Sequence, residues 1–139
     1  IEAVKVEFDP AVISYDRLVH HFLRTIDVTD AGGQFCDRGS TYVAALMPLD
    51  DKQGRIAQAA LDEAARDLNR EIATRIVASP NFHAVEDYHQ DYYLSSDRIL
   101  TRFGLIRKSD AYKKYREACG RDQRVREVWG KAAYETLTQ

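Results

Sequence analysis

Residues 32–42, with the sequence GGQFCDRGSTY, place a cysteine, a carboxylate and a phenol on one short segment. Glycines permit tight turns here, and the apolar run YVAALM that follows at residues 42–47 is typical of a strand. Asp37 and Tyr42 lie five residues apart where the loop enters this strand, so their side chains can converge on one pocket. Taken alone, the loop favours a structural interpretation, with an Asx-type turn at Asp37 and a packed Tyr42.

Hydrophobic periodicity outside this segment predicts alternating strands and helices. Val4, Val6 and Phe8 alternate along residues 3–8, which indicates a strand. Ser14 is a suitable N-cap for a helix that runs to about Thr25. Further along the chain we expect a long loop at 26–41, an amphipathic helix at 50–68, a strand at 72–77, a helical turn at 84–92, and short helices at 109–118 and 121–129. This order predicts a mixed α/β fold.

Composition is that of an ordinary globular domain. The 139 residues are 30% charged and 45% apolar, enough for a single domain with its own core. No apolar run reaches the length of a membrane span. Two cysteines do not make a disulfide framework, which favours a reducing cytoplasm.

The charge is unevenly distributed. Residues 98–131 hold eleven Lys or Arg against four Asp or Glu, while the whole chain has a net charge of −2. Aromatic and apolar residues alternate with these basic ones, as on the solvated faces of packed helices. This pattern favours packing over a nucleic-acid interface.

A second stretch, residues 81–94 with the sequence NFHAVEDYHQDYYL, adds to the first. Together they resemble the methionine sulfoxide reductases of the A type, in which a D-x-G-x-x-Y loop enters a strand and an A-E-D-Y-H-Q segment lies downstream. Residues 2–10 resemble the family's E-A-V-x-V-x-Y-D-P strand. Residues 26–30 resemble the segment that connects the end of its helix to the loop. The segments YREACGRD and VWG at 115–122 and 128–130 resemble the tail of one subgroup. These segments keep the family's order over nearly the whole chain.

The resemblance implies a fold and a function. The expected fold is a mixed-sheet α/β (α+β) two-layer sandwich with a ferredoxin-like core, formed by residues 1–139 as one domain that is incomplete at its N-terminus. The implied activity is that of a peptide-methionine (S)-S-oxide reductase. Such an enzyme passes through a cysteine sulfenic acid and a disulfide, and it uses thioredoxin as reductant with no metal or other cofactor. Oxidised proteins or free methionine sulfoxide are the expected substrates, in the cytoplasm, without nucleic-acid or membrane partners.

The resemblance also assigns catalytic roles. Glu2 is the expected general acid, beside apolar neighbours that would keep its carboxyl dry and protonated; the structural alternative is an exposed glutamate on a frayed strand end. Asp37 and Tyr42 are expected to orient the sulfoxide oxygen. Cys119 is the expected resolving thiol, because the arginines around it favour a thiolate, although a simple tail thiol is the alternative. The negative charge of Asp37 disfavours a thiolate at Cys36.

The downstream segment supplies the expected substrate contacts. The resemblance places His89 and Tyr92 on the wall of the substrate pocket. They are three positions apart, so on a helical turn their side chains would share one face. A lone histidine in a tyrosine-rich segment is otherwise a hydrogen-bonded structural residue more often than not. No cysteine pair at zinc spacing accompanies the four histidines, so we expect no metal site.

One motif of the family is missing from the sequence. The family's nucleophile lies in a G-C-F-W stretch near its N-terminus, and the cysteines here are Cys36 and Cys119 alone. The chain begins with Ile1, and Met47 is its single methionine. We therefore expect the nucleophile to lie upstream of residue 1. The alternative is a catalytically inactive remnant that binds methionine sulfoxide or a protein partner.

Overall fold

The computed structural model describes residues 1–78 and 81–135. Its helices and strands within these residues are α1 Tyr15–Leu23, β1 Gly33–Gln34, β2 Asp37–Arg38, β3 Ala45–Leu46, α2 Asp51–Leu68, β4 Arg75–Ile76, β5 Arg98–Thr101, β6 Gly104–Arg107, α3 Lys108–Ala118 and α4 Arg121–Trp129. Single turns of 3-10 helix occur at Ser40–Tyr42, Asp87–His89 and Gly130–Ala132. None of the described helices has the length and apolarity needed to cross a membrane.

The helices begin and end at the signals that their sequence carries. Ser14 caps α1 by accepting a hydrogen bond from the backbone N–H of Arg17 at 3.2 Å. Asp50 caps α2 in the same way, from the N–H of Gln53 at 2.7 Å. Helix α2 ends at Asn69, which adopts the left-handed conformation common after a helix. The predictions of these two helices and of α3 and α4 are confirmed.

The core lies between α1, α2 and α4. Leu23 of α1, Ala57 of α2 and Val125 of α4 are each at most 1% exposed. Trp129 closes the core at the end of α4, and its indole N–H donates to the carbonyl of Ile26 at 3.2 Å. Each fully buried aliphatic side chain stabilises the fold by about 1.5–3 kcal/mol. This core fixes the position of the segment that follows α1.

The strands form three separate two-stranded sheets in the described residues. Strands β1 and β2 are antiparallel, as are β5 and β6, whereas β3 and β4 are parallel and are joined by α2 as the crossover. The architecture is therefore mixed α/β, as predicted. The short sheets do not themselves define a two-layer ferredoxin-like sandwich.

Several strand predictions are wrong. Residues 3–8 do not form a strand: they pair with no other strand of the described chain, and Val4 and Val6 are 87% and 59% exposed. Alternation alone does not make a strand, because its backbone needs a hydrogen-bonding neighbour. The strand predicted at 42–47 is reduced to β3, because Tyr42 belongs to a 3-10 turn, and the one at 72–77 is reduced to β4. The predicted loop at 26–41 contains the β1–β2 hairpin, and the β5–β6 hairpin was not predicted.

Candidate functional site

The segment after α1 is anchored by a buried carboxylate. Asp27 is 3% exposed, and its Oδ1 accepts hydrogen bonds from the N–H and the hydroxyl of Thr29 at 2.9 and 2.7 Å. Arg124 of α4 donates from Nε to the other carboxylate oxygen at 2.7 Å. The side-chain amide of Gln34 bonds both to the N–H and to the carbonyl of Asp27. These contacts tie the loop to the C-terminal helix.

This environment keeps Asp27 ionised. Burial alone would raise the pKa of its carboxyl, but the hydrogen bonds from Thr29 and Arg124 together outweigh it, so the pKa lies below its usual range. The same contact with Asp27 raises the pKa of Arg124 above its usual value. The pair is therefore a fixed structural contact rather than a proton donor.

The β1–β2 hairpin presents the predicted cysteine and carboxylate. Gly33 pairs with Arg38, and Gly33 has a φ of +146°, where an added Cβ would overlap the carbonyl oxygen of Asp37. Arg38 forms a two-pronged ion pair with Asp30, with one of its bonds, from Nη2 to Oδ1, at 2.9 Å. Hydrogen bonds from Arg38 lower the pKa of the Asp30 carboxyl. The hairpin is thus a defined turn, and glycine is required at Gly33.

The tip of this hairpin is covalently bonded to the C-terminal helices. Cys36 and Cys119 form a disulfide, with their Cα atoms 5.3 Å apart and the two residues 83 positions apart in sequence. The guanidinium of Arg121 lies 4.8 Å from the ring centroid of Phe35, next to the bond. Cys119 was expected as a free resolving thiol; here it is oxidised, so it is available as a thiol only after reduction. The sequence did not predict this bond.

Asp37 and Tyr42 lie on neighbouring elements of this loop. Asp37 is exposed on β2, and Tyr42 is half-buried at the end of the 3-10 turn that packs on β2. An open cavity of about 530 Å³ lies between this loop and residues 71–75. Glu71 and Arg75 place opposite charges on its wall, and Ser40 lines it from the turn that carries Tyr42. The cavity is large enough for a side chain of a substrate.

The downstream segment forms a second group of candidate residues. The His89 ring is exposed and lies 4.0 Å from the ring of Tyr88, between centroids. Lys108 donates from Nζ to the carbonyl of Tyr88 at 3.2 Å, and the same Nζ is 6.0 Å from the centroid of Tyr92. In the described chain, none of the hydrogen bonds, ion pairs or ring contacts of this segment reaches Asp37 or Tyr42.

The predicted acid is not in a dry pocket. Glu2 is exposed on the N-terminal segment, which forms neither helix nor strand. The same segment approaches the downstream group, since Nζ of Lys5 lies 6.0 Å from the ring centroid of Phe82. No cluster of three or more His, Cys, Asp or Glu side chains in the described residues is placed to bind a metal.

Comparison with known protein families shows which family this chain belongs to. A family model described as peptide methionine sulfoxide reductase matches residues 1–133. The chain belongs to this family. Segment order and motifs had already predicted the same family.

Reductases of three bacteria illustrate the similarity. The chain is 41% identical to the peptide methionine sulfoxide reductase MsrA 2 of Rhizobium meliloti over 133 residues, which are 96% of this chain and 61% of the relative. It is 38% identical to MsrA 2 of Caulobacter vibrioides, over 93% of this chain and 60% of the relative. With MsrA of Bacillus subtilis it shares 38% identity, over 93% of this chain and 67% of the relative. The chain therefore spans about three fifths of the first two relatives.

Sequence reasoning missed the contacts that hold the reductase-like loop in place. The carboxylate of Asp27 was seen only as part of a motif, and its partner Arg124 lies 97 residues away. Glu71 and Arg75 were not considered: Arg75 belongs to the predicted strand at 72–77, and Glu71 directly precedes it. No local signal identifies the Asp27–Arg124 contact, because its partners are distant in sequence.

Proposed function

We propose that the protein reduces the (S)-sulfoxide of methionine in oxidised proteins, and free methionine sulfoxide, as a repair enzyme. The observation that carries this proposal is the family match over residues 1–133. In the proposed reaction a cysteine thiolate attacks the sulfoxide sulfur, the oxygen is protonated, and methionine leaves. The cysteine remains as a sulfenic acid, which a second thiol converts to a disulfide. Thioredoxin then reduces that disulfide, and no metal or prosthetic group takes part.

The nucleophile of this reaction requires a free thiolate. The negative charge of Asp37 next to Cys36 disfavours a thiolate there, and the relatives are longer than the region they share with this chain. We therefore place the nucleophile outside residues 1–139. Cys119 is proposed as the resolving thiol once the Cys36–Cys119 bond has been reduced, because the arginines beside it favour its thiolate.

The other roles follow from hydrogen-bonding chemistry. Asp37 and Tyr42 are proposed to orient the sulfoxide oxygen beside the cavity that their loop borders. Glu2 is proposed to deliver the proton, which requires that the exposed N-terminal segment be covered in the reacting complex, because water would otherwise compete for the carboxyl. His89 and Tyr92 are proposed as substrate-binding residues, supported by the ring stacking and the Lys108 contacts of their segment.

The proposal extends to the architecture and setting of the enzyme. We propose that residues 1–139 form one domain whose strands complete a two-layer, ferredoxin-like mixed sheet when the nucleophile-bearing region is present. The open backbone of residues 3–8 and of the short strands supports this, because unpaired strands seek partners. The cytoplasm is the proposed compartment, since dithiol proteins that recycle such enzymes are kept reduced there.

The test is reduction of methionine sulfoxide by the protein expressed from its complete gene. Separated (S) and (R) epimers of a peptide containing one methionine sulfoxide are incubated with thioredoxin and its reductase, and the methionine formed is quantified by chromatography. We expect turnover of the (S) epimer alone. In a single-turnover experiment Glu2→Gln should slow reduction by about 10²- to 10⁴-fold with little change in substrate affinity. Reduction of both epimers, or of neither, would reject the proposal.

A binding protein without turnover is the second candidate. It is favoured by one observation, the absence of a free thiol in the described chain. This candidate predicts that the complete gene product binds a methionine sulfoxide peptide but forms no methionine in single-turnover conditions. An intact mass well above 15.9 kDa would favour the enzyme, because it would leave room for the missing nucleophile.

A further inference from the structure

The β5–β6 hairpin carries an exposed face of two leucines and two arginines. Arg98 pairs across the strands with Arg107, and Leu100 pairs with Leu105, so all four side chains lie on one face of the ribbon. Leu100 is 79% exposed and Leu105 is 57% exposed, and both arginines are exposed. These four residues are called the hairpin face below. Ile99 and Ile106, on the opposite face, are half-buried.

The hairpin face has positive charge without compensation. Like charges directly opposite each other on two strands are destabilising, and neither Arg98 nor Arg107 forms an ion pair in the described part of the chain. In the turn between the strands, the guanidinium of Arg102 lies 4.8 Å from the ring centroid of Phe103, and Nζ of Lys114 of α3 lies 5.7 Å from the same ring. An anionic ligand would relieve the repulsion between the paired arginines.

The hairpin face continues from the proposed substrate-binding segment. Lys108 follows Arg107 directly, and its Nζ bonds to the carbonyl of Tyr88 and lies near the ring of Tyr92. The chain that leaves Tyr92 enters β5 at Arg98 six residues later. A polypeptide bound at Tyr92 would therefore have its flanking residues directed towards the hairpin face.

We infer that the hairpin face binds acidic residues that flank an oxidised methionine in an extended segment of a protein substrate. This inference rests on the proposed function and names its substrate class. Carboxylates suit Arg98 and Arg107, which bind them through paired hydrogen bonds. Arg98 and Leu100 are two residues apart, the period of an extended chain, so a substrate with an acidic and an apolar residue two positions apart matches them. Both outer edges of the β5–β6 sheet are unpaired in the described residues and can accept a further strand.

Fluorescence anisotropy with the protein expressed from its complete gene tests the inference directly. The probes are labelled peptides with one methionine sulfoxide followed by Glu-Ser-Leu-Ser-Glu or by Lys-Ser-Leu-Ser-Lys. We expect the acidic peptide to bind more tightly, and increasingly so at low ionic strength. Arg98→Glu combined with Arg107→Glu should weaken binding of the acidic peptide by about tenfold and strengthen binding of the lysine peptide. The control variant, Arg55→Glu with Arg70→Glu, changes the net charge equally at exposed positions elsewhere.

The outcomes separate this inference from the proposed function. Equal affinity for the two peptides, or equal effects of the hairpin and control variants, would overturn the inference. The inference would also be overturned if a duplex DNA similar in length to the acidic peptide bound more tightly than that peptide, and if the hairpin variant bound this DNA more weakly than the wild type. A third peptide has unoxidised methionine with the acidic flank. Suppose that this peptide binds as tightly as the oxidised one, and that Arg98→Glu with Arg107→Glu still weakens binding of the acidic peptide and strengthens binding of the lysine peptide. The hairpin face then binds acidic segments, and the proposed reductase function loses support.

Discussion

Removing the Cys36–Cys119 bond should cost much of the stability of this domain. The bond joins two residues that are 83 positions apart in sequence and so closes a long loop of the chain. In the chain-entropy treatment, a cross-link of this span lowers the entropy of the unfolded chain enough to stabilise the fold by about 4.5 kcal/mol at 25 °C. Small domains are stable by only about 5–15 kcal/mol in total. We therefore expect the double variant Cys36→Ser/Cys119→Ser to be folded but marginal, with a Tm lower by roughly 15 °C.

The native contacts around the bond explain why the variant should still fold. Arg124 holds Asp27 at 2.7 Å, and Arg121 lies over Phe35 at 4.8 Å, so the loop keeps its position without the sulfurs. The loss should come from the unfolded state, which becomes more expanded, and the m-value of urea unfolding should rise along with the loss of stability.

Urea titration followed by the fluorescence of Trp129, the single tryptophan, measures both quantities. Trp129 is buried in the core and reports global unfolding. Wild-type protein kept reduced with a phosphine should coincide with the double serine variant, which controls for the serine substitutions themselves. If the oxidised wild type and the double variant differed by less than about 1 kcal/mol with equal m-values, the entropic account would be refuted.

Three further changes have predicted outcomes. Asp27→Asn should destabilise the fold by about 2 kcal/mol at neutral pH, because it weakens the bond from Arg124 at a buried site. Since the pKa of Asp27 is lowered in the folded state, its carboxylate stabilises the fold above about pH 4, and this stabilisation is lost as the pH falls through the folded-state pKa. The free energy of unfolding of the variant, measured by urea titration from about pH 2 to 6, should therefore fall less steeply towards low pH than that of the wild type. Gly33→Ala should cost about 2 kcal/mol or more, seen as a lower Tm, because its Cβ overlaps the carbonyl of Asp37; an unchanged Tm would contradict the hairpin geometry. Gly54→Ala, inside α2, would place its Cβ in ordinary van der Waals contact with Cγ of Pro48 at 4.0 Å and should stabilise by about 1 kcal/mol in calorimetry; a loss would contradict that position.

Sequence alone determined the helices and the family of this protein. The helix signals are local, since Ser14 and Asp50 cap helices whose first turns they touch, and apolar residues recur on one face within each helix. The family followed from short motifs in a fixed order, which need no knowledge of contacts. Neither Asp37 nor Tyr42 lines the cavity beside their loop, so their convergence on one pocket stays a prediction.

Tertiary structure alone decided which distant residues meet. The Asp27–Arg124 pair joins residues 97 positions apart, and nothing in the local sequence selects Arg124 over the other arginines. Cys119 is the single possible partner of Cys36 within the chain, but only the fold brings these cysteines, 83 positions apart, within bonding distance. The same holds for strands. Residues 3–8 alternate as a strand should, yet they form no strand in the described chain, because a strand exists only where a neighbour accepts its backbone hydrogen bonds. Pairing is a property of the whole chain, whereas capping and periodicity are properties of adjacent residues.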